Sequence, residues 1–113
     1  MKMQAQYKLA QYQREYQTLY EQTQMLQAQV PALESQIQSF AQFANEDVSN
    51  RKARADYSKV VQRYNTLNTT IRRNMMRLQT LQRQIAIESQ KVQNQAMKAQ
   101  MKACGMRGRT YNY

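Results

Sequence analysis

The sequence predicts an all-α protein of long, heptad-patterned helices, arranged as an antiparallel helical hairpin or a coiled coil. Three observations carry this. Apolar residues recur at three-then-four spacing over most of the chain, the narrow stripe of helices that pack lengthwise. Breakers are scarce, with Gly105, Gly108 and Pro31 as the only glycines and proline, too few for a β-rich or many-turned fold. The 113 residues include twenty glutamines. Glutamine is a good, uncharged helix former, and here Leu, Tyr, Ile and Phe interrupt the tracts at helical period, unlike a disorder-prone low-complexity run.

The first predicted helix covers residues 1–44. Read in sevens, its first positions are Leu9, Tyr16, Thr23, Val30, Ile37 and Ala44, and its fourth positions are Ala5, Tyr12, Leu19, Leu26, Leu33 and Phe40. The register stays in phase through Pro31. A proline inside a helix removes one backbone hydrogen bond and crowds the preceding turn, at a cost of roughly 3 kcal/mol. It also biases Val30 away from helical angles. A kink, or a short break with Pro31 in the first turn of a new helix, is therefore expected there.

The register breaks at residues 45–50, the one predicted turn. Arg51 stands where the first seam calls for an apolar residue. Asn45 is a candidate N-cap, with Glu46 and Asp47 placed where acids favour a helix start; Ser49 and Asn50 are the alternative caps. No glycine marks the turn, so one continuous helix with a phase slip stays open.

The second predicted helix covers 51–104. Its first positions are Tyr57, Tyr64, Ile71, Leu78, Ile85, Val92 and Ala99, and its fourth positions are Val60, Leu67, Asn74, Leu81, Glu88 and Gln95. The first column stays apolar or aromatic throughout, whereas the fourth turns polar after Leu81. Folding the chain back near residue 47 sets Val30 beside Tyr64 and Leu9 beside Ile85. The first helix then runs out near Val92, about where the second seam loses its apolar fourth positions. This agreement favours a hairpin with an overhanging C-terminal end; a parallel oligomer of one long helix is the alternative. Asn74 either fixes register from within the seam or faces water. Gly105 is the expected helix stop, and residues 105–113 form a basic, aromatic tail ending in Tyr111 and Tyr113.

Composition excludes several classes of function. A chain of this length makes one domain. It has no histidine, and its seven acids are scattered, so no positioned acid–base pair for catalysis emerges. The expectation is a non-enzymatic protein with no cofactor, metal or small-molecule substrate. Cys104 is the single cysteine, which excludes an intrachain disulfide and a multi-thiolate metal site but leaves a bridge between two copies open. No apolar run approaches the ~20 residues of a membrane span. Met1–Gln4 lead into amphipathic sequence without a signal-peptide core, so the cytoplasm, or an assembly built there, is the expected location.

Charge is unevenly placed. The net charge is +10. Residues 1–44 and 45–56 are each neutral, and residues 57–113 hold eleven bases against Glu88 alone. Arg63, Arg77, Lys91 and Lys98 share the seventh heptad position beside the seam, while the opposite flank (Val61, Asn68, Met75, Gln82, Ser89, Ala96) is uncharged. Arg72, Arg73 and Arg83 lie on the outer face, and Lys102, Arg107 and Arg109 extend the charge into the C-terminal end. The first helix offers few acids to pair with them, only Glu15 and Glu34 at its flanks. This leaves a surface for phosphate or acidic protein, or a solvated face that keeps a sticky helix soluble. No helix-turn-helix, zinc-finger or basic-zipper pattern is present. Any nucleic-acid contact would therefore be non-specific, through the backbone, and weakened by salt.

Tyr12, Tyr16, Leu19, Leu26, Leu33, Ile37 and Phe40 on the first helix are the candidate helix–helix interface. Their counterparts on the second are Tyr57, Val60, Tyr64, Leu67, Ile71, Leu78, Leu81, Ile85 and Val92. Tyrosine suits half-buried interfaces, and Met75, Met76, Met97, Met101 and Met106 are adaptable packing residues. The expected partners are copies of the chain or other structural proteins of a large assembly.

A Gln-, Ala- and Met-rich, tryptophan-free helical chain of this kind resembles the internal virion, pilot or ejection proteins of bacteriophages. The resemblance covers most of the chain and is compositional. It implies a structural role in a virus particle, with the basic half towards genome or an acidic partner. It would place the protein in the virion, or in host cytoplasm before assembly. In architecture alone the chain is also similar to the stalk proteins of flagellar and type III export, and an architectural ribonucleoprotein component is a third expectation. The small secreted WXG-type hairpins do not fit, because the chain has no tryptophan at the turn or elsewhere.

Overall fold

The computed structural model describes the backbone of residues 2–47 and 49–108, and the side chains of 4–47 and 49–103. Two helices make up the fold: α1, Lys2–Glu46, and α2, Arg51–Gly108. They pack as a helical hairpin, and no strand occurs among the described residues. The single-long-helix alternative is thereby set aside.

Helix α1 is continuous through Pro31, so the expected break and restart there does not occur. The seam residues on both sides of the proline face the same way, and tertiary packing holds the helix across the missing backbone bond.

The turn falls where the register slips, but its cap is Asn50 rather than Asn45, which lies within α1. The Asn50 side-chain oxygen accepts a hydrogen bond from the Ala53 backbone N–H at 3.1 Å, satisfying one of the orphan donors at the start of α2. The Asn50 N–H donates to the Asp47 carbonyl at 3.1 Å, closing the turn. The Ser49 hydroxyl donates to the Asp47 carboxylate at 2.7 Å. At the other end, α2 runs on through Gly105 to Gly108. Gly105 does not stop it: neither glycine takes a positive φ, and a glycine inside a helix costs only about 1 kcal/mol.

The chain divides into two compact units. The first is Thr18–Leu78, which holds the turn and pairs the second part of α1 with the first part of α2. Its buried side chains are Thr23, Val60, Leu67 and Ile71. The Thr23 hydroxyl donates to the Leu19 carbonyl at 2.6 Å, so a polar residue sits in this seam without an unmet donor. Leu26 shares a groove with Thr66, Leu67 and Thr70, and Gln36 and Phe40 share another with Asp56 and Val60. The two helices of this unit therefore pack together towards the Asp47–Asn50 turn.

The second unit pairs α1 up to Gln17 with α2 from Gln79. Its buried residues are Ala5, Leu81 and Glu88, with Leu81 fully enclosed. Gln82 donates through its side-chain amide to the Tyr16 hydroxyl at 3.1 Å, tying the two helices together.

Burial follows the predicted seams, with one shift of emphasis. On α1 every seam position is buried or half-buried, and beyond them only Ala10 and Ala41 lose much exposure. On α2 the fourth column is the deeper one: Val60, Leu67, Leu81 and Glu88 are buried, whereas in the first column only Ile71 is. Tyr57 is exposed, contrary to its place in the expected interface. Tyr64, in the same column, is half-buried. Asn74 is half-buried, between the two expected alternatives.

Candidate interaction surfaces

Two surfaces follow from this packing: the exposed bases of α2, and the hairpin side that carries Val61, Asn68 and Met75.

In the Thr18–Leu78 unit, Arg63, Arg72, Arg73 and Arg77 are all exposed. Arg63 and Lys59, one helical turn apart, line each of these two grooves. In the first they stand beside Leu26, Thr66 and Thr70. Lys59 is absent from the predicted basic set; its i, i+4 spacing to Arg63 was the available signal. Arg63, Arg72 and Arg73 make no hydrogen bond or ion pair among the described residues, whereas Arg77 is engaged within the chain.

In the other unit, Arg83, Lys91, Lys98 and Lys102 are exposed. Lys91 is paired: its ammonium lies 3.3 Å from the Glu88 carboxylate, one turn earlier. Lys91 is thus an exception within a stripe expected to be mostly unpaired, and Glu88, a polar position of the seam, lies inside the core. Glu88 is only 6% exposed, and Lys91 supplies the opposite charge that a buried carboxylate requires. The core fades one heptad later, and every described side chain from Ala96 to Ala103 is exposed. The unit holds nine bases against two acids, Glu15 and Glu88, and Glu15 is also engaged within the chain. The side chain of Arg107, like Cys104 and Met106, and the whole of Arg109, Tyr111 and Tyr113 lie outside the described residues.

The opposite side of the seam differs in kind. In the Thr18–Leu78 unit it carries Val61, Asn68 and Met75 on α2, at the fifth heptad position. The same position on α1 holds Tyr20, Gln27, Glu34 and Ala41. Val61, Asn68 and Ala41 are half-buried, and Tyr20 and Met75 stay 41% and 49% exposed. Glu34 is the acid at this position, and Arg54, one heptad before Val61, is an exposed base at it.

Charge also separates by helix. From Glu15 to Asn50 the chain holds five acids and no base; from Arg51 to Leu78 it holds eight bases and one acid. A hairpin places such segments side by side, which neutralises them across the seam at modest gain, because exposed pairs contribute only ~0–1 kcal/mol each.

Among the described residues no group of three His, Cys, Asp or Glu is placed to hold a metal ion. None of the described helix is long and apolar enough to cross a membrane. No protein-family model, curated protein or solved structure matches the chain.

Proposed function

We propose that this chain is a non-enzymatic structural subunit of a large assembly, foremost a minor component of a phage or virus particle. Its hairpin seams and flanks pack against copies or neighbouring proteins, and its basic side faces genome or an acidic partner. One observation carries this reading: Arg63, Arg72, Arg73, Arg83 and Lys98 are exposed along one helix with no hydrogen bond or ion pair among the described residues. A row of cations on a rigid helix neutralises phosphates without reading sequence, because phosphate contacts position and carry no base information.

The test is retention of a random DNA duplex by the purified full chain, measured across a salt series. Binding that falls with a log–log slope of about −0.9 per neutralised phosphate supports the reading. In Arg72→Gln/Arg73→Gln/Arg83→Gln the slope flattens by up to about 2.7 if each residue meets one phosphate. No duplex retained at low salt would refute the genome-facing role and leave a hairpin that binds protein only.

A further inference from the structure

The two grooves that share Lys59 and Arg63 lie on one side of the seam of the Thr18–Leu78 unit. Their floor is apolar, with Leu26 and Leu67 in one and Phe40 and Val60 in the other. Val60 and Leu67 are buried, but Leu26 and Phe40 keep part of their surface in water. The α2 rim is polar and cationic. Lys59 and Arg63 line each groove, and Thr66 and Thr70 carry the rim away from the turn. Asp56 is the acid that lines these grooves, at the end nearest the turn.

The α1 rim supplies nothing to neutralise these cations. In paired helices, acids at the flanking heptad positions of one helix normally meet the bases of the other. Here every third and seventh heptad position of α1 from Thr18 to Phe43 is uncharged, Gln22, Gln29 and Gln36 among them. Lys59 and Arg63 make no hydrogen bond or ion pair among the described residues. An open apolar floor beside unmet cations selects the chemistry of what lies there. A nucleic-acid backbone would meet the cations but lay polar sugars and phosphates over Leu26 and Phe40. A helix with an apolar stripe covers such a floor, and carboxylates along one edge of the stripe meet the cations. Lys59 and Arg63 stand one helical turn apart, so acids four residues apart on a helix running alongside match them. Asp56 matches a base on the same edge, one turn from the nearer acid. From Asp56 to Thr70 the grooves extend ~21 Å at 1.5 Å per residue, about four turns of helix.

We propose that this groove docks an amphipathic helix of a partner protein, one that carries two carboxylates a turn apart beside an apolar stripe. The inference rests on the reading of the chain as an assembly subunit and deepens it by giving one flank its partner's chemistry. The apolar stripe lies over Leu26, Leu67, Phe40 and Val60, and the carboxylates pair with Lys59 and Arg63. A helix of four turns makes an interface at the small end of the range, so dissociation in the micromolar range is expected.

The test measures binding of a synthetic fluorescent peptide to the full chain by anisotropy at physiological salt. The peptide has a leucine stripe at three-then-four spacing, two glutamates four residues apart on one edge, and a lysine one turn before them. Replacing its glutamates with glutamine should weaken binding about tenfold, the worth of two such pairs together. Replacing its leucines with alanine should weaken binding about tenfold or more. On the protein, Lys59→Gln/Arg63→Gln and Thr66→Glu should each cost a similar factor. Arg51→Gln/Arg54→Gln removes the same charge on the other side of α2 and should leave binding unchanged. Circular dichroism checks that each variant stays helical; if the double variant does not, Thr66→Glu carries the test. No peptide bound, equal binding of the glutamate and glutamine or of the leucine and alanine peptides, or equal effects of the two double variants would overturn the proposal. Displacement of the peptide by a random DNA duplex, with duplex retention lost in Lys59→Gln/Arg63→Gln, would make the groove a nucleic-acid site and overturn it too. Duplex retention by the wild-type chain is read separately. Peptide binding without it refutes the genome-facing role alone, and duplex retention without peptide binding refutes this docking site alone.

Discussion

Leu81→Ala should be the most destabilising simple truncation in the described seam. Among the described residues Leu81 is the one large side chain that is completely enclosed, at 0% exposure. Fully burying a leucine side chain contributes about 1.5–3 kcal/mol. Cutting it back to alanine loses most of that and leaves a hole that two stiff helices cannot collapse into, which places the cost near 3 kcal/mol, within the 2–5 range for such sites. Leu78 lies in the neighbouring column and is half-buried. Part of it already meets water, and a gap there opens to solvent, so Leu78→Ala should cost only about 1–1.5 kcal/mol. Urea unfolding followed by helical circular dichroism measures both, at one fixed protein concentration, since self-association adds to apparent stability. Equal costs, a larger cost at Leu78, or a loss at Leu81 below about half a kcal/mol would refute the burial order of the two columns.

Two further substitutions test single contacts. Asn50→Ala removes the side-chain oxygen that caps α2 and should lower stability by about 1 kcal/mol, while Asn50→Asp keeps it; thermal melts of both variants decide whether the cap acts as described. Glu88→Leu replaces a buried carboxylate with an apolar side chain and leaves Lys91, 56% exposed, in water. It should raise the urea midpoint by the equivalent of about 1 kcal/mol or more, and a lowered midpoint would show that the ion pair contributes net stability.

The seams were legible because an amphipathic helix writes its buried stripe directly into residue spacing. Every α1 position from Ala5 to Ala44 in the two predicted columns loses exposure in the fold, including Thr23, whose hydroxyl the local backbone satisfies. The turn was legible as a register slip, but the choice among Asn45, Ser49 and Asn50 depended on which side chain reaches a free N–H. Spacing also does not say which of two columns lies deeper. Tyr57 and Tyr64 looked equivalent to Val60 and Leu67 by pattern, yet a long ring with a hydroxyl settles at the seam's edge and a branched aliphatic fills its centre. Glu88 reads only as a polar break in its column, and its burial depends on its partner Lys91 three residues on, a spacing that pairs charges on a helix. Gly105 failed as a stop for a different reason. A single glycine weakens a helix without ending it, and only a left-handed residue there would have closed it. The basic surface was legible in outline, since charge is countable, but the engagement of Arg77 and Lys91 within the chain depends on three-dimensional neighbours.

The central claim is that this hairpin is one part of a larger assembly, joined to copies of itself and turned towards a polyanion. The mass of the purified chain in solution, by light scattering at low and high salt with and without a random DNA duplex, tests it most directly. The account predicts a species heavier than one chain, capture of duplex at low salt and its release as salt rises. A monomer of 13.4 kDa that ignores duplex at every salt concentration would contradict it.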